Sequence, residues 1–136
     1  MSGKRVMLID DDEIDNYSHR RSLQQCDWVK EIMVYEYAEE ALERLKTDAG
    51  CADLIFLDIN MPRMNGFEFL EQYQQLPPEN RTGIMVMMLT TSDSPVDRDR
   101  ASKFGCVSDF MTKPLSGDTL TKLVDRVLKQ RFQADP

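Results

Sequence analysis

Five short apolar runs, separated by longer stretches with helical periodicity, constrain the fold of this chain more than any other feature. The clearest runs do not alternate polar with apolar residues, which is typical of strands covered on both faces; they span residues 6–9, 54–57 and 84–89. Two weaker runs, 32–35 and 107–111, complete the set. The pattern predicts five strand–helix units that form a parallel sheet with helices on both faces.

The stretches between the runs place apolar residues on one helix face. These residues are Ala38, Ala41, Leu42, Leu45, Phe67, Leu70, Tyr73, Leu120, Leu123, Val124, Val127 and Leu128. Ser94 and Pro95 predict the N-cap and first position of a helix that runs to about residue 104 and stops at Gly105. The first helix, about 14–25, has the weakest pattern, and its apolar anchors are Ile14, Tyr17 and Leu23.

Composition narrows the class of protein. A chain of 136 residues, 41% hydrophobic and 30% charged, fits one globular domain over 1–136 with no output domain. Its net charge of -7 disfavours nucleic-acid binding by this chain alone. The longest apolar run, 84–89, is too short to cross a membrane, and the N-terminus lacks a signal-peptide core. Three widely spaced cysteines without a C-x-x-C pair indicate reduced thiols. We therefore expect a soluble, cytoplasmic protein.

Chemically suggestive residues follow four of the predicted strands. Asp10, Asp11 and Asp12 follow the first strand, Asp58 follows the third, and Thr90 and Lys113 follow the fourth and fifth. Ligands of open α/β sheets bind outside the carboxyl ends of the strands. If the first and third strands are neighbours, Asp10, Asp11 and Asp58 converge, and their mutual repulsion calls for a cation. Oxygen ligands of this kind suit Mg²⁺.

Each of these residues also has an ordinary structural interpretation. An aspartate after a strand often caps a helix, a hydroxyl often caps or solvates a loop, and a lysine before proline is usually at the surface. Their joint occurrence, in order, at successive strand ends instead predicts a site for a phosphorylated carboxylate. In that site a metal neutralises charge, Asp58 attacks phosphorus, and Thr90 and Lys113 hold the phosphoryl oxygens.

Four segments carry a resemblance to a known family: VMLIDDD, LIFLDINMPRMNGFEFL, VMMLTTS and DFMTKPL. With them the chain resembles the receiver domain of two-component response regulators, over a core of about 4–129. The resemblance implies a flavodoxin-like (βα)5 three-layer sandwich with a parallel five-stranded sheet of order 2-1-3-4-5. It also implies a phosphoacceptor switch that is not an enzyme, because it catalyses only its own phosphorylation and dephosphorylation.

The resemblance assigns a metal site to the acidic residues. Asp58 corresponds to the phosphoacceptor, Asp11 to the direct ligand of Mg²⁺ or Mn²⁺, and Asp10 to a neighbour that acts largely through water. The backbone carbonyl of Asn60 completes the predicted set of metal ligands.

Further roles follow at the other strand ends. Thr90 corresponds to the switch hydroxyl and Lys113 to the ammonium that pairs with the phosphoryl group, in a Lys113–Pro114 bond that the family usually has cis. Gly66 fits the tight turn before its helix. Phe110 occupies the position of a switch aromatic, and the alternative is an ordinary core phenylalanine.

The implied partners are proteins. A sensor histidine kinase or a histidine phosphotransfer protein would dock near the first helix and supply the phosphoryl group from a phosphohistidine. Phosphorylation would then switch a surface for a downstream protein target.

Several alternatives remain open. The chain is either a stand-alone regulator or a receiver excised from a multidomain regulator or hybrid kinase. An aspartyl-nucleophile phosphohydrolase is less favoured, because Asn60 replaces the second aspartate of that class. A flavin carrier is disfavoured by the acidic residues after the first strand. His19 is either a phosphotransfer histidine or a helix residue packed at the acidic pocket.

Overall fold

Strands and helices alternate along the whole described part of the chain. The computed structural model describes residues 3–91 and 94–123. Its elements are β1 (Lys4–Ile9), α1 (Glu13–Gln24), β2 (Val29–Tyr35), α2 (Ala38–Thr47), β3 (Leu54–Asp58), α3 (Gly66–Tyr73), a 3-10 turn (Pro78–Asn80), β4 (Met85–Thr90), α4 (Pro95–Ser102), β5 (Val107–Thr112) and α5, described over 117–123. All strand pairs are parallel and their order is β2-β1-β3-β4-β5. The predicted sheet is confirmed.

Two hydrophobic clusters cover the two faces of the sheet. Residues of β1 divide between them in alternation, with Met7 and Ile9 in one cluster and Val6 and Leu8 in the other. The first cluster includes apolar residues of α2, α3 and α4, and the second includes those of α1 and α5. Every residue of β3 is buried, because the central strand has helices above and below it. The unalternating apolar runs therefore reflect burial on both faces.

The α4 prediction is confirmed at its start and wrong at its end. Ser94 is the N-cap, and its side chain accepts a hydrogen bond from the backbone N–H of Asp97. The helix ends at Ser102 instead of about residue 104. The amides of Lys103 and Phe104 donate to carbonyls three residues back, so the last turn is tighter than an α-helical one.

The predicted bounds of two other elements also change. Strand β4 begins at Met85 and not at Ile84, because the amide of Ile84 donates to the carbonyl of Arg81 in the preceding turn. The predicted anchors Val124, Val127 and Leu128 of the last helix, and the end of the core at about 129, lie outside the described residues.

The predicted anchors of α1 are wrong at two of three positions. Ile14 is 79% exposed and Tyr17 is 64% exposed, whereas the buried residues are Asn16, His19 and Leu23. Asp12 is the N-cap, and its side chain accepts hydrogen bonds from the backbone N–H groups of Ile14 and Asp15. The side-chain amide of Asn16 donates through Nδ2 to the backbone carbonyl of Asp10 at 2.8 Å, a polar anchor that hydrophobic periodicity does not reveal.

Within residues 3–91 and 94–123, every helix is too short or too polar to cross a membrane. All three cysteines are free thiols, as predicted.

Candidate functional site

Strand register brings the predicted site residues to one edge of the sheet. In the parallel pair β1–β3, Ile9 lies opposite Leu57, so Asp10 and Asp58 emerge side by side. On the other side of β3, Thr90 at the end of β4 pairs with Thr112 at the end of β5. The next residue, Lys113, donates its backbone N–H to the carbonyl of Thr90 at 2.8 Å. The peptide bond that follows, Lys113–Pro114, is cis.

The ammonium of Lys113 bridges three carboxylates. Its Nζ lies 2.7 Å from Asp10 Oδ2, 2.8 Å from Asp15 Oδ2 and 3.1 Å from Asp58 Oδ1. The side chains of Lys113, Asp10 and Asp58 are only 7%, 5% and 9% exposed. Charge-assisted hydrogen bonds in such a dry setting are stronger than at the surface. The ammonium therefore ties together the ends of β1, β3 and β5.

Three carboxylates of the cleft are spaced to share one cation. Asp10, Asp11 and Asp58 each offer an oxygen, and these oxygens lie within 4.8 Å of one another. Asp10 and Asp58 are buried and Asp11 is exposed, so the group opens to solvent on one side. All donors are hard oxygens, and one ammonium balances only part of the charge, so the residues fit a hard divalent ion.

The surrounding cleft has a volume of about 490 Å³. It is lined by Asp10, Asp11, Asp12, Asp15, Asp58, Asn60, Thr91 and Lys113. Asn60 thus lies beside the acidic group, as predicted, and its role as a metal ligand stays a prediction. The open cleft has room for a small anionic group next to Asp58.

Burial and crowding of charge perturb the acids and the lysine. Desolvation and the neighbouring charge of Asp10 raise the pKa of Asp58 from 3.8 to about 6, although Lys113 acts in the opposite direction. Burial also raises the pKa of Asp10. Burial disfavours the charged form of Lys113, but its contacts with Asp10, Asp15 and Asp58 outweigh that effect and raise its pKa. Without a bound cation, ionisation of Asp58 at neutral pH therefore lowers the stability of the fold.

We expect Asp58→Asn to stabilise the metal-free protein at pH 7. The pKa of Asp58 is about 6 in the fold against 3.8 ordinarily, so ionisation of this group lowers the free energy of unfolding as pH rises from about 4 to about 6. Asparagine removes that penalty, which corresponds to up to about 3 kcal/mol at pH 7. Urea unfolding in EDTA measures it. An equal gain at pH 5 and pH 7, or a loss, contradicts the prediction; Asp27→Asn, at an exposed position, is the control.

Thr90 has the position at the end of β4 that is expected of the switch residue, whereas Thr91 is the threonine that lines the cleft. Thr90 ends β4, is 2% exposed, and accepts the backbone N–H of Lys113 through its carbonyl. Thr91 is exposed and lines the cleft, a position the sequence did not distinguish from that of Thr90. The assignment of the switch role to Thr90 stays a prediction.

Asp15 is a site residue that was missed in the sequence. Hydrophobic periodicity does not single it out, because it lies in a polar part of the helix with the weakest pattern. Asp12 as N-cap makes Asp15 the third residue of α1, on the first turn beside the strand ends. An acidic residue three positions after a capping aspartate was the available signal.

Gly66 is required for a close approach and not for a turn conformation. A Cβ at Gly66 would lie 2.6 Å from the carbonyl oxygen of Asp58 and 3.0 Å from Cα of Ile59. The amide of Gly66 donates to the carbonyl of Ile59 at 2.8 Å. The left-handed backbone conformation of this loop is at Arg63, whose φ is 69°. The predicted turn role of Gly66 is therefore corrected to one of packing against the strand that carries Asp58.

We expect Gly66→Ala to lower the free energy of unfolding by about 2–3 kcal/mol, because the methyl group would displace backbone at Asp58. Urea unfolding measures the loss. Gly105→Ala is the matched control, since a Cβ there meets nothing within 4 Å. Equal stabilities of the two variants would contradict the inferred packing role.

Phe110 and His19 are both buried. Phe110 is 9% exposed, and the guanidinium of Arg98 lies 4.7 Å from its ring centroid. This placement is a core position beside α4, and the switch role of Phe110 stays a prediction. His19 is 2% exposed; burial and the charge of Lys113 lower the pKa of its ring. A histidine this deeply buried matches the interpretation as a packed helix residue.

The doubly wound sheet, with a cleft at its carboxyl edge where carboxylates and one ammonium meet, defines a class of α/β domain whose acidic group fits a divalent cation. The chain belongs to the response regulator receiver domain family, whose model matches residues 6–125. The resemblance seen in the four sequence segments is thereby confirmed.

Known proteins support the same assignment. A two-component response regulator from Cytophaga hutchinsonii is similar in structure, with a TM-score of 0.84 and 30% identity over 95% of this chain and 99% of that one. The Mn(2+)-bound form of response regulator Rcp1 has a TM-score of 0.71 and 26% identity, covering 91% of each chain. The alkaline phosphatase synthesis transcriptional regulatory protein PhoP of Bacillus subtilis is 27% identical over 98% of this chain and 52% of its own length. The chain spans about half or less of the first curated relatives it matches.

Proposed function

We propose that Asp58 accepts a phosphoryl group in a reaction that depends on a divalent cation, Mg²⁺ or Mn²⁺, and that its phosphorylation switches a protein-interaction surface. The observation that carries the proposal is the contact of Lys113 Nζ with Asp58 Oδ1 at 3.1 Å, inside a group of carboxylate oxygens within 4.8 Å of one another. A nucleophile and a cationic group are thus already adjacent at one open cleft.

The chain's own residues account for much of the chemistry. A carboxylate oxygen of Asp58 forms the new bond to phosphorus while the P–N bond of a donor phosphohistidine breaks. The electron pair of that bond returns to the imidazole nitrogen, which takes up a proton. Lys113 places positive charge beside the transferred group. The cation held by Asp10, Asp11 and Asp58, with the carbonyl of Asn60, would supply the further charge neutralisation that phosphoryl transfer requires.

Asp58 meets the requirement for attack at neutral pH. A nucleophilic carboxylate must be ionised, and a pKa of about 6 leaves most of the Asp58 population ionised at pH 7. Burial and the neighbouring charge of Asp10 make that anion less stable than it would be in water.

The partners follow from the family. The donor would be a sensor histidine kinase or a histidine phosphotransfer protein in the cytoplasm, and the output a contact with a downstream protein. Thr90 and Phe110 are the proposed switch residues; Thr90 ends β4, and Phe110 lies on the neighbouring strand β5.

Incubation with radiolabelled acetyl phosphate tests the proposed function. With this donor a P–O bond breaks and acetate leaves, so no partner protein is needed. We expect label that requires Mg²⁺, is lost with EDTA, and is released by hydroxylamine as expected for an acyl phosphate. Label resistant to hydroxylamine would contradict an aspartyl phosphate. Sustained turnover of a phosphate ester would instead support the phosphohydrolase alternative.

A further inference from the structure

We propose that Asp15 is a positioning residue, which holds the Lys113 ammonium in the cleft while a divalent cation engages the other carboxylates. The proposal rests on the proposed function, because it concerns the arrangement that receives the phosphoryl group. It assigns a role to a side chain outside the predicted set of site residues.

The contact between Asp15 and Lys113 is nearly as short as the contact between the buried side chains of Asp10 and Lys113. Lys113 Nζ lies 2.8 Å from Asp15 Oδ2, against 2.7 Å from Asp10 Oδ2 and 3.1 Å from Asp58 Oδ1. The backbone that carries Asp15 is fixed, because its amide donates to Asp12 Oδ1 at 3.2 Å in the helix cap. Asp15 therefore offers a carboxylate from a rigid helix turn.

The three carboxylate partners of Lys113 differ in what a cation would do to them. Asp10 and Asp58 belong, with Asp11, to the group of oxygens within 4.8 Å of one another; among the residues that the structure describes, Asp15 lies outside that group. A cation bound there would compete for the oxygens of Asp10 and Asp58 and would repel the ammonium. Asp15 then remains the acceptor that keeps Lys113 in the cleft.

This arrangement explains how the ammonium can meet a phosphoryl oxygen. An ammonium has three N–H donors; that of Lys113 hydrogen bonds Asp10 and Asp15 and makes an ion-pair contact with Asp58. The contact with Asp58 is the longest, so it is the one to exchange for a phosphoryl oxygen. With one donor held by Asp15, Lys113 stays within reach of the group that is transferred. Positioning of this kind acts on the rate of the bound complex.

Whether removal of the Asp15 carboxylate slows or speeds phosphorylation distinguishes a positioning role from a purely electrostatic one. The carboxylate of Asp15 carries negative charge near an incoming anionic phosphodonor. If its charge alone mattered, its removal would speed phosphorylation by reducing repulsion. If it positions Lys113, its removal slows the maximal rate even though the donor is repelled less. If it is a metal ligand, its removal weakens Mg²⁺ binding.

Phosphorylation kinetics with acetyl phosphate in saturating Mg²⁺ form the first test. We expect Asp15→Ala to lower the maximal rate about tenfold, with the half-saturating donor concentration unchanged or lower. Asp15→Asn keeps an acceptor oxygen and is expected to lie between Ala and wild type. Glu13→Gln, at an exposed position on the same helix turn, removes the same charge and should match wild type. A maximal rate for Asp15→Ala equal to or above wild type overturns the proposal.

Stability measurements form a second test that needs no phosphorylation. In a double-mutant cycle of Asp15→Ala and Lys113→Met, we expect the coupling to persist in saturating Mg²⁺ as a change of at least about fivefold in the unfolding equilibrium constant. In the cycle of Asp10→Asn and Lys113→Met, the coupling should fall when Mg²⁺ is added. Loss of the Asp15 coupling in Mg²⁺ refutes the proposal. So does Mg²⁺ affinity weakened more than about fivefold by Asp15→Ala.

The two tests distinguish failure of the proposed function from failure of the positioning role of Asp15. A wild-type protein that takes no label refutes the proposed function, and the stability cycles then decide on the positioning role by themselves. A wild-type protein that takes label while Asp15→Ala performs equally well refutes only the positioning role.

Discussion

Asp58→Asn is expected to reduce labelling by acetyl phosphate in Mg²⁺ by at least about a hundredfold, because a neutral amide is a far weaker nucleophile than a carboxylate. The substitution is nearly isosteric, so the cleft and the position of Lys113 are retained. Since the same change should stabilise the metal-free fold, loss of label would not reflect unfolding. The measurement is the label incorporated per chain after a fixed time.

Asp27→Asn is the matched control for that experiment. Asp27 is exposed and borders a different cavity, next to Trp28, so its removal should leave labelling unchanged. Label retained by Asp58→Asn would mean that another group accepts the phosphoryl group. Peptide mapping of the hydroxylamine-reactive site would then show whether Asp10 or Asp11 does so, and the assignment of Asp58 would fall.

Lys113→Met is expected to destabilise the metal-free protein at pH 7 by about 3 kcal/mol, the cost typical of breaking a buried ion pair from one side. Methionine fills a similar volume, but it leaves the buried carboxylates of Asp10 and Asp58 facing each other without a counter-charge. Urea unfolding in EDTA measures the loss. The loss should shrink in saturating Mg²⁺, because a cation bound to the same carboxylates replaces the missing charge.

Lys103→Met provides the control for the lysine. Lys103 pairs with Asp99 at 3.6 Å, but both side chains are more than 70% exposed, at 74% and 71%. Solvent screens such a pair, so little change in stability is expected. Equal effects of Lys113→Met and Lys103→Met would contradict the view that the ammonium of Lys113 neutralises a buried acidic cleft.

Helix α1 shows where sequence patterns fail. Hydrophobic spacing selected Ile14 and Tyr17 as anchors, and both are exposed. The face toward the sheet carries Asn16 and His19, because the N-terminal part of that face lies beside the acidic cleft and not against an apolar core. Periodicity detects apolar burial only, so a helix that buries polar groups at a site is assigned the wrong face.

The loop between β3 and α3 shows that sequence patterns also fail to predict backbone contacts between segments. The sequence predicts a tight-turn role for Gly66, but the residue of this loop with a left-handed backbone conformation is Arg63. What demands glycine is the approach of α3 to the carbonyl of Asp58, a contact between segments that a local pattern cannot describe.

The sequence by itself determined the order of elements and the doubly covered parallel sheet, because unalternating apolar runs identify strands covered on both faces. The convergence of Asp10, Asp11 and Asp58 required the first and third strands to be neighbours, and the strand order that makes them so, with Lys113 nearby, was implied by the family resemblance. Only the tertiary structure decided that Asp15 reaches Lys113, that α1 turns a polar face inward, and that burial raises the pKa of Asp58 to about 6. Those properties depend on distances and solvent exclusion between segments remote in the chain, which residue order does not specify.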